Sequence, residues 1–498
     1  MNVNPITRLD YPDPDVIRVE DTYYMVSTTM HFMPGCEILQ SFDLVHWEHA
    51  TYVYETLDHT DAQQLKSGQN IYGQGMWAAS LRYHEGRFYI CFVANDTRKT
   101  YLYTSEKIDG PWKKQLIEGF YHDGSLLFDE DGRNYIVYGN DEIWITELNE
   151  DLTAPKKDGL HRLLVSDHKN PELGYEGSHI QKINGYYYIF LVHSLRDRWM
   201  RTEACFYSDS LEGEFTGGDV LCDDRGYCGQ GVAQGGIVDT PDGKWYAMLF
   251  QDSGAVGRIP ILVPVTWKDH FPVFGQNGHV PEEIEVHSTR PEYIYQPLVG
   301  SDDFCNGLLP RWQFNHDPDP RYYHLDALQG TYTITTREVC TELTQAVNTL
   351  TQRMSYPSCA AEVTVDASAL KEGDVAGLCA LQGCYAAVGI TKHHGKYEVL
   401  MLDKKEDGIL DMTERTVVES HQMDFRLEAD FCNMKDEARC YYRVNKGDWL
   451  PIGTVHKLYF KLDHFTGCRF GLFCYAAEET GGSACFRDFK YYDVDEIS

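Results

Sequence analysis

Apolar and polar residues alternate through the first half of the chain, and the alternating segments come in pairs. In each pair, a short apolar segment is followed by a turn of charged residues with Asn or Gly and then by an aromatic-rich segment, which is typical of a β-hairpin. The turn and second segment recur five times, at residues 20–25, 85–90, 131–136, 184–189 and 242–247. The pattern predicts antiparallel sheets built from hairpins.

A tyrosine in the second strand of every hairpin marks the period of this repeat. The tyrosines are Tyr24, Tyr89, Tyr135, Tyr188 and Tyr246, and subtraction gives intervals of 65, 46, 53 and 58 residues. Such an interval accommodates a four-stranded sheet with its loops, and self-similarity at this period indicates a propeller or an array. Five units predict a five-bladed β-propeller over residues 1–285.

The rest of the chain predicts a second β domain. Residues 275–300 are rich in Pro, Gly and charged side chains with little periodicity, so we place a linker at 286–300. From residue 301 to 498, short alternating strands return, which predicts a jelly-roll-like β-sandwich. We expect this domain to pack on the propeller and lend a loop to its pocket, rather than bind carbohydrate by itself.

Length and composition support the same fold class. A chain of 498 residues is long for a single core and predicts two domains. Aromatic residues make up 13% of the chain, with 34 Tyr and 42 Gly, which favours short strands and tight turns over helices. We therefore predict an all-β protein, with a five-bladed β-propeller followed by a C-terminal β-sandwich.

The charge of the chain narrows the class of partner. A formal net charge of −32 argues against nucleic acid, which is bound by Lys and Arg, and against anionic membranes. A small neutral or cationic ligand fits best. Neither a secretory leader nor an apolar run of about 18 residues is found, so we expect a cytoplasmic protein, or a secreted one if a leader was removed. For the oligomeric state, both a monomer and a symmetric homo-oligomer are compatible with the sequence.

Fifteen cysteines are scattered without the paired spacings of zinc sites or disulfide scaffolds. The spacings of Cys222 with Cys228 and of Cys379 with Cys384 would permit disulfides. Buried free thiols in a reducing compartment are the preferred interpretation.

The repeat also predicts where functional side chains meet. The first strand of every propeller blade lines the central channel, so residues at equivalent starts of those strands converge. Counting back 11 or 12 residues from each marker tyrosine gives Asp13, Trp77, Asp123, Glu176 and Gln234. Three carboxylates, an indole and an amide are thus predicted to share one axial pocket.

Each acid also has a simpler interpretation as a turn residue. Asp13 lies between Pro12 and Pro14, which fix φ and withhold two backbone donors, while Asp123 and Glu176 each precede a glycine. The register common to the three acids favours a shared site.

Acids held apart beside an aromatic platform are the residues that hydrolyse a glycosidic bond, where one donates a proton and another activates water or attacks. A third carboxylate raises the pKa of the acid and orients it. A calcium site is the alternative use of the same carboxylates, but calcium draws six to eight oxygens, usually from one loop or neighbouring strands. We therefore expect no required cofactor, with a structural calcium as the alternative.

These residues also carry a family resemblance. The segment 11–17 with 21–24, the Asp123 strand, and 175–179 followed by 183–188 resemble glycoside hydrolase family 43, the β-xylosidases and α-L-arabinofuranosidases. The downstream domain resembles the β-sandwich that many of these enzymes carry. The resemblance implies that Asp13 is the general base, that Asp123 tunes pKa and orientation, that Glu176 is the general acid, and that the anomeric configuration is inverted.

Two further residues are assigned to substrate. By the same resemblance, Arg258 lies near the substrate hydroxyls, and its planar fork suits vicinal hydroxyls; a salt bridge at a strand edge is the alternative. Phe32, in the loop 30–35, is expected over the pocket, where it would stack on a sugar ring; packing is the alternative.

The chain departs from the family pattern at two positions. Many relatives have Trp-Ala-Pro-Asp where this chain has Trp77-Ala78-Ala79-Ser80, and many have an axial His where it has Gln234. An amide binds cations weakly, so the resemblance does not carry a central metal over to this chain.

The sequence thus predicts an exo-acting, inverting glycoside hydrolase that releases xylose or arabinofuranose from the non-reducing ends of hemicellulose-derived oligosaccharides. A retaining fructosidase-like hydrolase and a non-catalytic carbohydrate-binding propeller are the alternatives.

Overall fold

The computed structural model of the protein describes residues 2–493 and confirms an all-β chain with two β domains. Helical structure in this range is limited to four short 3-10 turns, at Lys66–Gly68, Gly254–Val256, Leu343–Gln345 and Cys432–Met434. No helix in the described range is long and apolar enough to cross a membrane. The predicted domain boundaries stay a prediction, and residues 494–498 of the predicted second domain lie outside the described residues.

Five four-stranded antiparallel sheets form the blades of a propeller. Counted from the axis outwards, the strands of blade 1 are Asp15–Val19, Thr22–Val26, Gly35–Ser41 and Glu48–Tyr54, and those of blade 2 are Met76–His84, Arg87–Ala94, Lys99–Ser105 and Lys113–Ile117. Blade 3 consists of Ser125–Phe128, Asn134–Asn140, Glu142–Leu148 and His161–Ser166, and blade 4 of Glu176–Ile183, Tyr186–Ser194, Arg201–Ser208 and Thr216–Leu221. Blade 5 consists of Ile237–Asp239, Trp245–Asp252, Arg258–Lys268 and Phe271–Phe274. The marker tyrosines all lie in second strands, as predicted.

A buried polar network ties the innermost strands together around the axis. Arg82 of blade 2 donates to Asp15 of blade 1 at 2.8 Å and to Ser125 of blade 3 at 2.6 Å. His179 of blade 4 also contacts Asp15, with 3.1 Å between Nδ1 and Oδ1. Burial acts to raise the pKa of Asp15, but Arg82 and His179 together lower it to about 2. The network fixes the four blades relative to each other.

The second domain is a sandwich of two antiparallel sheets. The eight-stranded sheet has the order Leu410–Val418, Lys396–Lys404, Tyr385–His393, Val375–Leu381, Arg469–Tyr475, Leu350–Arg353, Gln313–Asn315 and Phe32–Met33. The seven-stranded sheet has the order Tyr323–Asp326, Thr331–Thr335, Ser483–Asp493, Ser358–Asp366, Gln422–Asp430, Glu437–Arg443 and Leu450–Lys457. Alternate residues of both sheets face the core between them, where Leu378, Phe425 and Leu472 are fully buried.

Two short pairings join the parts of the chain. Asn2–Val3 pairs with Glu283–Ile284, so the chain start is tied to the segment that follows blade 5. Phe32–Met33, from the propeller sequence, pairs with residues 314–315 and becomes the edge strand of the eight-stranded sandwich sheet. The two domains therefore share a sheet.

This pairing corrects the prediction for Phe32. The ring is buried beneath the guanidinium of Arg469, whose central carbon lies 3.5 Å from the ring centroid. Backbone pairing with the second domain turns the loop towards the sandwich, so Phe32 packs between the domains and lies outside the pocket described below. The packing alternative holds for this residue.

All fifteen cysteines are free thiols, which includes both pairs whose spacing permits a disulfide. Most are buried, as expected, although Cys222, Cys228, Cys305 and Cys432 are exposed.

Candidate active site

The start of every blade has a residue with left-handed backbone geometry. These residues are Asp13, Ala78, Asp123, Gly177 and Gln234, with φ of 52°, 34°, 48°, 66° and 65°. In blades 2 and 4, the left-handed residue directly follows the predicted site residue, and the ladder shifts register at that point. Four of the five are not glycine and adopt this geometry at an energetic cost, so its recurrence makes this end of the channel a candidate site.

Gly177 is the one position in this set where glycine is required by space as well as by φ. A Cβ there would lie 2.7 Å from Cγ of Gln234. The missing side chain lets blades 4 and 5 approach each other, which brings Glu176 and Gln234 into one pocket.

Six of the seven predicted site residues line a single cavity of about 190 Å³ at this end of the channel, namely Asp13, Trp77, Asp123, Glu176, Gln234 and Arg258. A larger cavity, of about 420 Å³, lies at the opposite mouth of the channel. Its basic side chains Arg18, Arg82 and Lys182 are already paired with carboxylates. The converging acids, not the larger volume, make the smaller cavity the candidate active site.

The carboxylate of Asp13 is held at both oxygens. Thr28 Oγ1 donates to one at 2.6 Å, and Arg258 Nη1 donates to the other at 2.7 Å. Thr28 is itself fixed, because its hydroxyl accepts from the backbone of Ala78 and its own amide donates to Pro12. The buried carboxylate is therefore held in one orientation and paired with a cation.

Arg258 is a fully internal residue of the site. It is 5% exposed, and its Nε donates to Asp252 at 3.3 Å while Nη1 donates to Asp13. Phe465 of the second domain covers the guanidinium, with 3.7 Å from its central carbon to the ring centroid. Arg258 does form a salt bridge, as in the alternative interpretation, but this ion pair is buried at the pocket rather than exposed at a strand edge.

Asp123 and Glu176 lie on either side of His122. The Nε2 atom of His122 is 3.6 Å from an oxygen of each acid. Asp123 also accepts from the backbone of Gly177 at 3.0 Å, and Glu176 accepts from Asn140 at 2.9 Å. One imidazole therefore sits between the two carboxyl groups of the pair.

The three groups shift one another's protonation. The negative charge of Asp123 raises the pKa of His122 to about 9, although desolvation of the imidazole acts in the opposite direction. Burial raises the pKa of Asp123 to about 6. The positive charge of His122 opposes this rise, and repulsion from Glu176 adds to it. Burial acts in the same sense on Glu176, but His122 holds the pKa of Glu176 below its usual value. The two carboxyl groups therefore titrate as a pair rather than independently.

These residues do not suit a calcium ion. Donor atoms of His122, Asp123 and Glu176 lie within 4.8 Å of one another, but only two of these three side chains offer oxygen, the ligand atom that calcium prefers. The axial cavity beneath, lined in part by Asp13 and Gln234, measures about 10 Å³, which is room for about one water. Calcium draws six to eight oxygen ligands, more than either place offers.

Aromatic side chains form the walls of the pocket. Trp77 stands edge to face with Phe465, with ring centroids 5.1 Å apart, and Trp199 lies on the side of blade 4. Leu462 and Phe465 belong to the loop that precedes the sandwich strand Arg469–Tyr475. The second domain therefore does lend a loop to the pocket.

The main residues that the sequence did not single out are His122, Asn140, Trp199, Arg201 and Phe465. His122 adjoins a predicted acid and could have been found from that position. The others lie on second or third strands, on a loop, or in the other domain, which the register of first strands does not sample.

The three carboxyl groups at the propeller axis, in a small aromatic-walled cavity, include the pair of acids that glycoside hydrolysis requires. The family model for glycosyl hydrolases family 43 matches residues 3–272, and the model for a beta xylosidase C-terminal concanavalin A-like domain matches residues 301–492. The chain belongs to glycosyl hydrolases family 43 and is a glycosidase. The non-catalytic alternative is overturned by this assignment.

Known relatives resemble the chain over part or all of its length. A beta-xylosidase of Formosa agariphila is 27% identical over 99% of this chain and 89% of its own. A non-reducing end alpha-L-arabinofuranosidase of Bacteroides ovatus is 26% identical over 66% of this chain and 63% of its own. A solved structure described as a bifunctional GH43-CE protein of Bacteroides eggerthii has a TM-score of 0.92 and 42% identity. It covers 100% of this chain, which spans 64% of that protein.

Proposed function

We propose that the protein is an exo-acting, inverting glycosidase that releases xylose or arabinofuranose from the non-reducing ends of hemicellulose-derived oligosaccharides. The observation that carries the proposal is the enclosure of the three acids in a cavity of about 190 Å³. Pockets for drug-sized ligands measure roughly 300–1,000 Å³, so this cavity suits one terminal sugar ring. Relatives named for xylosidase and for arabinofuranosidase activity support both sugars.

In this proposal, Asp13 removes a proton from a water molecule whose oxygen attacks the anomeric carbon. Glu176 donates a proton to the glycosidic oxygen as the carbon–oxygen bond breaks. Thr28 and Arg258 hold the carboxylate of Asp13 in place for the attack. The two carboxyl groups exchange protonation states in the turnover, and solvent restores them. No cofactor is needed for these steps.

Glu176 must carry a proton once substrate is bound. A sugar ring in the cavity excludes water from this carboxyl group, and loss of solvation favours the neutral form. Asp123 contacts the same imidazole as Glu176, and while its carboxyl group is ionised it disfavours a negative charge on Glu176.

The test of this function is a side-by-side assay of aryl β-D-xylosides, aryl α-L-arabinofuranosides and aryl β-fructofuranosides, with proton NMR of the first-formed anomer. Inversion with a pentoside is the expected result. Turnover of the fructoside with retention would instead identify the retaining fructosidase alternative, which pairs the same two domain types.

A second expectation concerns His122. Replacing His122 by asparagine removes a cation that favours the ionised forms of Asp123 and Glu176, so the pKa values of both carboxyl groups rise. Glu176 then stays protonated to higher pH. We expect the basic limb of the kcat/KM–pH profile to move to higher pH.

The matched control is His84→Asn, because His84 lies at the opposite mouth of the channel, stacked on Phe128. Its pH profile should coincide with that of the unmodified enzyme. A basic limb that stays in place in the His122 variant would show that this imidazole does not act on the acid pair.

A further inference from the structure

Arg201 is a cation of the pocket that the proposed proton transfers do not use. It begins the third strand of blade 4, lines the same cavity as Asp13 and Glu176, and is 2% exposed. Desolvation and the nearby charge of Arg258 lower the pKa of its guanidinium to about 9. A buried cation of this kind is costly unless acceptors surround it.

The protein supplies Arg201 with few acceptors. Within the described chain, its guanidinium donates a hydrogen bond only to Asp252, and its buried Nε atom has no partner. Asp252 also accepts from Nε of Arg258, so one carboxylate serves two guanidinium groups. Trp199 and Phe250 contact the guanidinium through their ring faces, at 5.1 and 5.3 Å from the centroids.

Arg82, a partly buried arginine with a structural role, uses its donors more fully. Arg82 donates five hydrogen bonds inside the propeller, two of them to Asp15 and Ser125 and the others to backbone carbonyls. By comparison, most N–H groups of Arg201 are left for something other than the protein. Because Arg201 lines the cavity, the occupant of the cavity is the available source of oxygen acceptors.

We propose that Arg201 binds a hydroxyl oxygen of the sugar, next to the hydroxyl bound by Arg258. The two guanidinium groups share Asp252 and therefore lie side by side, an arrangement that suits two adjacent hydroxyls of one ring. Arg201 is thus a specificity-determining residue for a terminal pentosyl ring with a free vicinal diol. The inference rests on the proposed function, since its ligand is the sugar that the enzyme cleaves.

The experiment compares the wild type with Arg201→Met on the best aryl glycoside and its monodeoxy analogues. For the wild type, removing either of the two adjacent hydroxyls should lower kcat/KM by about 10- to 100-fold, as for hydrogen bonds to charged groups. Arg201→Met should lose a similar factor on the parent substrate and should no longer discriminate against the analogue deoxygenated at one of these positions. Its discrimination at the other positions should be unchanged.

Arg201→Lys provides a second variant that keeps the charge without the planar fork, and it carries the test if Arg201→Met does not fold. We expect it to recover part of the discrimination. The control is Arg290→Met at the exposed pair with Asp21, which should leave every ratio unchanged.

Two failures are distinguishable. If every deoxy ratio of a folded Arg201 variant equals that of the wild type, Arg201 acts only through the structure, and the assignment is overturned. If the wild type hydrolyses none of the pentosides, the proposed function fails first.

Discussion

Replacing Glu176 by alanine should lower kcat/KM for glycosides with poor leaving groups by roughly 10² to 10⁴-fold. The loss arises because the glycosidic oxygen must then depart without a proton. Aryl glycosides whose phenolate is stable need little protonation, so they should be affected far less. The measurement is kcat/KM for a series of aryl glycosides that differ in leaving group. Glu176 is identified as the general acid if kcat/KM of the variant, but not of the wild type, depends steeply on the pKa of the leaving group.

Glu172→Ala is the matched control for this series. Glu172 is exposed and lies four positions upstream in the same loop, and its amide donates to Asn170, which lies outside the pocket. Its kinetics should match those of the wild type. An equal loss for all leaving groups in Glu176→Ala would assign Glu176 to a step other than protonation, and full activity on poor leaving groups would remove it from the mechanism.

The axial acids were predictable because a propeller repeats one geometric relation five times. Once the tyrosines set the period, the residues before each first strand had to lie near the axis, and Asp13, Asp123 and Glu176 do line one cavity. The left-handed backbone conformation at Asp13 and Asp123 could not be predicted from the sequence, because neither residue is a glycine. Only Gly177 signalled it.

Contacts between the domains could not be predicted in the same way. A repeat reports on neighbours within its own domain, whereas Phe32–Met33 pairs with residues nearly three hundred positions later. An aromatic residue in a loop after a first-blade strand looks the same whether it faces a pocket or another sheet. The assignment of Phe32 therefore failed, and Phe465, which takes a place at the pocket, carried no signal of its own.

The ion pairs of the pocket connect three blades. Arg201 of blade 4 donates to Asp252 of blade 5, Asp252 accepts from Arg258, and Arg258 donates to Asp13 at the entry to blade 1. Positive and negative groups alternate along this row, so the charges compensate without solvent. The proposed base Asp13 thus owes its position to residues far apart in sequence, and its lead-in of two prolines supplies only part of its orientation.

Replacing Asp13 by asparagine tests that base directly. The amide keeps the shape of the carboxyl group and can still accept from Thr28 or Arg258, but it cannot remove a proton from water. We expect kcat/KM to fall by roughly 10² to 10⁴-fold for every leaving group alike, because each requires the attacking water. This uniform loss contrasts with the leaving-group dependence expected for Glu176→Ala.

The same substitution should also change stability. Without the charge of Asp13, Arg258 keeps only the carboxylate of Asp252, which Arg201 also uses, so the free energy of unfolding should fall by roughly 1 to 3 kcal/mol. Asp21→Asn, at an exposed pair in blade 1, is the control and should preserve both activity and stability. An Asp13→Asn enzyme that is destabilised yet keeps its turnover would make Asp13 a structural partner of Arg258 and leave the activation of water to another group.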